Sequence, residues 1–408
     1  MSLSSALRLG DPDTFVAGVP HAAIADLRRT APVAWQEIDD GPGFWAVLRH
    51  SDVVRVAREA TQFSASLGGV VLEDLDDDSL EMMRGMLLAM DPPRHQTYRK
   101  PIADGFKARI IGELEPQIRQ ICRDLMVEAA DRGEVEFVHD VTSGLPSRVM
   151  GQLMGLPEDD WSHLHGLAER QTSGQDPDLI APGEGPDYSA SIEMAMYAIE
   201  LATARRRAID AGRTPPSDLT TLILEGDFGG QPMTELDFGS FFVQLVTAGN
   251  DTTKTMLSSG LLALLQHPDQ LAAVRADASL LPGAIEEILR WANPLHYFRR
   301  TAVAPTRIGD TEIAAGDKVA MYYTSANRDP EVFTDPDRFD IGRHPNPHLS
   351  FGIGEHFCLG VHLARLEGRV FFEELLGAFP KIELVGEPVR IRSNLNNGLK
   401  RLPVRLET

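Results

Sequence analysis

Residues 349–368 read LSFGIGEHFCLGVHLARLEG, a glycine-punctuated loop that delivers Cys358 to an apolar-periodic run through Leu363, Leu366 and Val370. The spacing predicts a helix after the loop. The unpaired N–H groups and positive dipole end at its start favour a thiolate. Gly352, Gly354 and Gly360 let the backbone turn tightly and come close to something flat and bulky. Three chemistries compete for such a thiol: an inert buried side chain, a nucleophile beside His356, or a thiolate ligand to haem iron. For the nucleophile, His356 is only two residues away on a loop, with nothing obvious to orient it. A dinucleotide-binding loop fails, because Phe357 stands where the third glycine of GxGxxG belongs.

A second group of chemical residues sits inside a helix. Thr234 and Asp237 form a capping-box pattern, apolar residues recur from there to Leu265, and Pro268 ends the run. About 32 residues predict a rod of roughly 48 Å. Midway along it, Ala248-Gly249-Asn250-Asp251-Thr252-Thr253 places a glycine, an acid and hydroxyls. An interior glycine costs about 1 kcal/mol relative to alanine, and a buried acid costs more unless paired. Violations of this kind are expected at functional sites; a kinked helix with a satisfied aspartate is the plain structural alternative. His95 and Arg99, four apart in DPPRHQTYRK, share a helix face and suit a pair of carboxylates, or form a surface pair. Glu287 and Arg290, three apart in LPGAIEEILRWANP, can pair on one face.

The elements around these residues follow from local signals. HAAIADLRRTA reads as a helix. A hairpin follows, with Trp35 and Trp45 flanking a DDGPG turn, and SDVVRVARE is a further helix. Residues 64–91 set seven acids (Glu73, Asp74, Asp76, Asp77, Asp78, Glu81, Asp91) against Arg84, and Met82, Met83, Met86 and Met90 come in close order. This reads either as a solvated acidic loop followed by a core helix or as a mobile lid with an adaptable apolar lining. Residues 94–109 reverse the sign, with Arg94, Arg99, Lys100, Lys107 and Arg109 against Asp104, which suits docking of an acidic electron donor. Residues 110–230 read as several helices, with 173–187 the longest irregular piece. KVAMYY is a strand, and the tail reads as two strands joined by a turn near Asn396 to Gly398.

Composition narrows the class. The 408 residues are 43% hydrophobic, enough for a large core, and no linker supports a split into domains. Cys122 and Cys358, the only cysteines, rule out a disulfide framework and most zinc sites and fit a reducing cytoplasm. Cys122 lies in the apolar-periodic run IRQICRDLMVEAA and is expected to be buried. No signal peptide or membrane span is visible. A net charge of −21 argues against nucleic acid and anionic membranes as partners.

FGIGEHFCLG resembles the haem loop of the cytochrome P450 monooxygenases, Phe-Gly-x-Gly-x-(Arg/His)-x-Cys-x-Gly, at every fixed position. AGNDTT resembles the family's oxygen-activation motif, and Glu287-x-x-Arg290 and the PDRF of residues 336–339 follow in the family's order, so the resemblance covers nearly the whole chain. It implies a mainly α P450 fold: a single domain over 1–408, with a small β-rich region mainly in 30–63 and 300–345 plus C-terminal strands. It implies one haem b with Cys358 as axial thiolate, Phe351 packed near the sulfur and Gly360 closing the motif. His95, Arg99, Arg300 and His356 would bind propionates, with Arg299 ranked after Arg300. Ala248 and Gly249 leave room above the iron, while Asp251 and Thr252 supply the protons that O–O cleavage consumes. Glu287, Arg290 and Arg338 would form a buried network.

The resemblance also implies monooxygenation of an apolar small molecule of terpenoid, sterol or alkyl-chain type. Electrons would come from NAD(P)H through a ferredoxin reductase and a ferredoxin. The expected substrate-facing residues are Val70, Val71, Met82, Met86, Phe241, Leu245, Leu295, Phe298 and Leu395, with Asn396 beside the last; Gln244 and His296 could anchor one polar group. Two alternatives remain at this stage: a peroxide-driven haem-thiolate peroxygenase, against which the intact Asp251-Thr252 pair argues, and a non-catalytic haem or ligand-binding protein.

Overall fold

Strand pleating organises the first of two units into which the chain divides. A computed structural model describes residues 7–39, 41–172, 175–179 and 188–408. Residues 1–6, Asp40 of the expected hairpin turn, and 173–174 and 180–187 of the expected irregular stretch lie outside the described residues. The first unit comprises Met1–Arg84, Thr255–Cys358 and Gly386–Leu402; the second comprises Gly85–Lys254, Leu359–Val385 and Pro403–Thr408.

In the first unit a five-stranded sheet runs in the order Val33–Ile38, Gly41–Val47, Lys318–Tyr322, Tyr297–Ala302, Phe63–Ser64. The expected hairpin pairs Trp35 with Trp45, their rings 5.1 Å apart and edge to face, and Trp45 Nε1 donates to Asp317 at 2.9 Å. Successive side chains leave opposite faces of a strand. Val47, Val319 and Met321 therefore pack with Val53 and Val56 of helix His50–Arg58, whereas Phe44, Ala46, Ala320 and Tyr322 pack with Ile24 and Leu27 of helix His21–Thr30. The same parity separates two adjacent arginines. Arg299 stands opposite Ala320 and Arg300 opposite Val319, so they leave opposite faces. Arg299 lies 3.7 Å from Asp74 and donates to the Val71 carbonyl at 3.2 Å, and Lys318 meets the same Asp74 at 2.7 Å.

That contact corrects the expectation of a purely solvated acidic stretch. Asp74 ties the segment down, and helix Asp77–Arg84 buries no residue, so it is not the expected core helix. Met82 and Met83 are half-buried, while Met86 and Met90 are buried.

His296, for which the sequence allows either a ligand anchor or an ordinary core residue, lies in the core. It is fully buried, stacked on Phe15 at 4.1 Å, with Nδ1 2.9 Å from the Thr324 hydroxyl. Burial pushes the His21 ring down to about 2, helped by repulsion from Arg328, His296, Arg390 and Arg28; burial also drives His296 well below its usual range. Both rings are neutral in the folded chain and take up protons on unfolding below pH 6.5, so they favour folding above that pH and lose this contribution as pH falls. Denaturant titrations at falling pH should show stability dropping by up to about 1.4 kcal/mol per pH unit for each ring. His296→Gln should remove about one proton from the slope, and an unchanged slope would contradict this account.

The second unit is mainly helical. Helices Glu115–Ala130 and Val361–Ala378 pack together and carry a lattice in which Arg119 meets Glu115, Glu373 and Glu374 at 2.6–2.8 Å, while Arg369 meets Glu115 and Glu373. Cys122 is fully buried in the first of these helices, as expected. A three-stranded antiparallel sheet joins Glu134–Glu136, Pro403–Glu407 and Lys381–Leu384. The long helix is Glu235–Gln266, 32 residues, divided between the units at Lys254 and Thr255. At its start Thr234 accepts the Asp237 N–H at 3.1 Å and donates to that carboxylate at 2.8 Å. Asp237 also receives the Tyr98 hydroxyl at 3.3 Å. No described helix is long and apolar enough to cross a membrane.

Candidate active site

The cysteine loop is built within the first unit. The Cys358 N–H donates to the Phe351 carbonyl at 2.8 Å, which closes the turn. Phe351 is buried and its ring meets Phe357 at 6.4 Å. Gly354 has φ 78°, and a Cβ there would stand 2.8 Å from the Ala57 carbonyl, so only glycine fits. Cys358 and His356 are half-buried, and Gly360 is the N-cap of helix Val361–Ala378.

A rigid scaffold holds this loop. The Ser350 hydroxyl donates to the Leu289 carbonyl at 2.7 Å, and Asn327 takes the Leu349 N–H at 2.7 Å. Arg290 donates to the Asn327 carbonyl at 2.9 Å and twice to Glu287 at 2.8 Å, with both members of the ion pair buried. The third member differs from expectation. The Arg338 side chain is exposed, and only its backbone carbonyl joins, accepting from Arg290 at 3.1 Å. The guanidinium that closes the network is that of Arg343, 3.2 Å from Glu287, with Asn346 donating at 3.1 Å. Arg343 was missed because a local motif does not reveal which of two nearby arginines folds inward.

In the second unit, the middle of the long helix shows a distinct face. Leu245, Ala248, Gly249 and Thr252 recur at helical spacing, and Ala248 is exposed although the helix around it is largely buried. Gly249 is closely packed: a Cβ there would stand 2.8 Å from the Met150 sulfur. The Thr252 hydroxyl donates to the Ala248 carbonyl at 2.7 Å, which leaves its oxygen lone pairs to accept a further bond. Asn250 donates to the Val246 carbonyl at 2.8 Å.

Asp251 is buried, with Lys254 Nζ 2.9 Å away; burial pushes its carboxyl upward despite that ammonium. Lys254 and its second partner, Glu169 of helix Glu158–Thr172, were not singled out from the sequence. The signal was there: a lysine three residues after an aspartate inside an apolar helix.

Of the remaining expected site residues, the first unit holds Val70, Val71, Met82, Leu295, Phe298, Arg300 and Leu395, and the second holds Met86, His95, Arg99, Phe241 and Gln244. Leu295 bridges to Asn396, which places the C-terminal turn beside it. His95 is buried, and Phe241 is fully so. Gln244 accepts the Leu88 N–H at 3.3 Å. Of the five bases in residues 94–109, Lys107 and Arg109 pair with Asp104 and Glu113, and Arg94 lies 3.9 Å from Asp237.

Taken separately, these two features suit the haem implied by the sequence resemblance. The loop offers a soft sulfur donor on a tightly turned backbone, and the helix offers a small-residue face against which a flat macrocycle can lie. The family model for cytochrome P450 matches residues 188–403. Steroid C26-monooxygenase of Mycolicibacterium smegmatis is 34% identical over 396 residues, covering 95% of this chain and 90% of that protein. Linalool 8-monooxygenase of Pseudomonas putida is 36% identical over 97% of this chain and 98% of that protein. A Mycobacterium marinum cytochrome P450 solved in complex with pseudoionone matches with TM-score 0.88 and 36% identity, covering 95% and 94% of the two chains.

Proposed function

Because the chain belongs to the cytochrome P450 family, monooxygenases that bind one haem b through a cysteine thiolate, we propose that it hydroxylates an apolar small molecule of terpenoid, sterol or alkyl-chain type. The observation that carries this reading is that the residues which the resemblance turns toward substrate, Val70, Val71, Met82, Met86, Phe241, Leu245, Leu295, Phe298 and Leu395, are all apolar. Relatives named for steroid and linalool oxidation support it. In this reading 1–408 works as one P450 domain.

Cys358 supplies the thiolate, and His95, Arg99, Arg300 and His356 hold the propionates. Arg299 ranks after Arg300 for that role, and its engagement with Asp74 and the Val71 carbonyl supports that order. A bound haem would supply the activation of dioxygen, with one oxygen atom going to the substrate and the other to water. The protein's part is proton handling. Asp251 holds a proton inside the helix, and Thr252, its own hydrogen already committed to Ala248, accepts and orders what lies beyond that face. Electrons arrive from NAD(P)H through a ferredoxin reductase and a ferredoxin, which dock on the basic stretch of residues 94–109.

The test is a titration of the purified haem protein with terpenes, sterols and fatty acids, followed by turnover with a surrogate reductase and ferredoxin under labelled dioxygen. One class should shift the haem spin state and yield a product carrying one labelled oxygen. Unlabelled product, or no shift with any class, would remove the assignment.

A further inference from the structure

Behind the long helix the second unit buries a cluster of titratable groups, of which the function above uses only Asp251. Lys254 Nζ stands 2.9 Å from Asp251 Oδ1 and 2.9 Å from Glu169 Oε1, with only 2% of the lysine side chain exposed. The two contacts are unequal. Lys254 donates a well-formed hydrogen bond to Glu169, whereas Asp251 Oδ1 is buried outside hydrogen-bonding geometry. From helix Glu158–Thr172, His165 faces the same carboxylates, and burial together with the Lys254 charge holds its ring neutral. His139, on the π-helical turn Val138–Thr142, adds its field to Glu169. The buried centre therefore holds two carboxyl groups and one ammonium.

We propose that Lys254 and Glu169 are positioning residues that keep Asp251 loaded with a proton and reload it after each transfer. Two ionised carboxylates with a single ammonium would leave a net negative charge out of water, which is costly, and one proton removes it. The proton resides on Asp251, the more deeply buried of the two carboxyls at 10% against 21%, where an ionised carboxylate is the costlier one. Burial raises Glu169 too, but attraction to Lys254 outweighs it and leaves that carboxyl lowered, while Asp251 is raised. When Asp251 gives its proton inward, Glu169 admits the next one, since its side chain is the most open of the three at 21%, against 10% for Asp251. Glu169 takes the proton from bulk solvent, and Lys254 passes one of its own to Asp251 as it recovers one from Glu169, so the proton count closes and the ammonium is never left uncharged. No electrons move, and the ammonium is restored.

The inference rests on the role given to Asp251 above, and the test separates the two. Infrared spectra of the resting haem protein at neutral pH should show a protonated-carboxyl stretch that disappears in Asp251→Asn. Glu169→Gln, nearly the same shape, removes the competing carboxylate charge, so the Lys254 ammonium should suffice for Asp251 and the Asp251 band should vanish there as well. Turnover in Glu169→Gln should fall roughly ten- to hundredfold with KM unchanged, and the solvent isotope effect should rise; Glu169→Asp should recover part of the loss. If the native protein lacks the band, or Glu169→Gln retains it, the proposal is overturned even where Asp251→Asn is slow. If Asp251→Asn turns over normally, the role of Asp251 itself falls.

Discussion

Cys358→Ser is expected to yield a folded protein whose reduced carbon monoxide complex lacks the strongly red-shifted Soret band and which no longer hydroxylates substrate. Serine preserves the loop, because the turn is closed by the backbone bond from residue 358 to the Phe351 carbonyl rather than by the sulfur. What it removes is the soft anionic donor whose electron push favours O–O cleavage. Loss of an outer-shell partner of a metal site already costs roughly 10–100-fold; loss of the axial ligand should exceed that. Cys122 cannot substitute. It is fully buried in helix Glu115–Ala130, and burial drives its thiol far above the usual range, so it does not ionise at neutral pH. Cys122→Ser is therefore the matched control and should keep the band. A red-shifted band surviving in Cys358→Ser would displace Cys358 as the ligand.

The parts of this site that were legible in the sequence are those whose cause is local. The glycines of the cysteine loop, the Thr234–Asp237 cap, the polar interruption at Asn250–Thr253 and the Glu287–Arg290 spacing each state a backbone or face requirement within a few residues. The parts that were not legible depend on a partner distant in sequence. Lys254 becomes functional only when Glu169, 85 residues away, shares it. Asp74 looks like one of seven solvated acids until Lys318 and Arg299 reach it from the sheet. His296 looks like a candidate ligand anchor until Phe15 stacks on it. Arg299 and Arg300 are ranked in the sequence by resemblance alone and become physically distinct through strand register. Burial of a charged group is thus a tertiary fact, and the residues misjudged here were charged or polar ones whose burial was unknown.

The same argument gives the sharpest test of the scaffold, the contrast between Arg343 and Arg338. Glu287 is fully buried and accepts from Arg290, Arg343, Asn346 and the Asp340 N–H, so every lone pair has a donor. Removing Arg290 leaves a buried carboxylate short of charge and takes the donor from the carbonyls of Asn327 and Pro336, while that of Arg338 keeps only Arg343. Breaking a buried ion pair from one side costs about 3–5 kcal/mol, and because Asn327 also holds Leu349 and Ser350, the damage should extend into the cysteine loop. Arg290→Ala should therefore give a protein that binds haem poorly and unfolds at a much lower denaturant concentration. Arg343→Ala should cost less, about 1–3 kcal/mol, since it removes one charged donor from a buried acceptor that keeps its others. Arg338→Ala keeps its only contribution, a backbone carbonyl, and should stay within about 0.5 kcal/mol of the native protein. Denaturant unfolding followed by the haem band would rank the three. An Arg338 variant as damaged as the Arg343 variant would mean that the exposed guanidinium, not the buried one, serves Glu287.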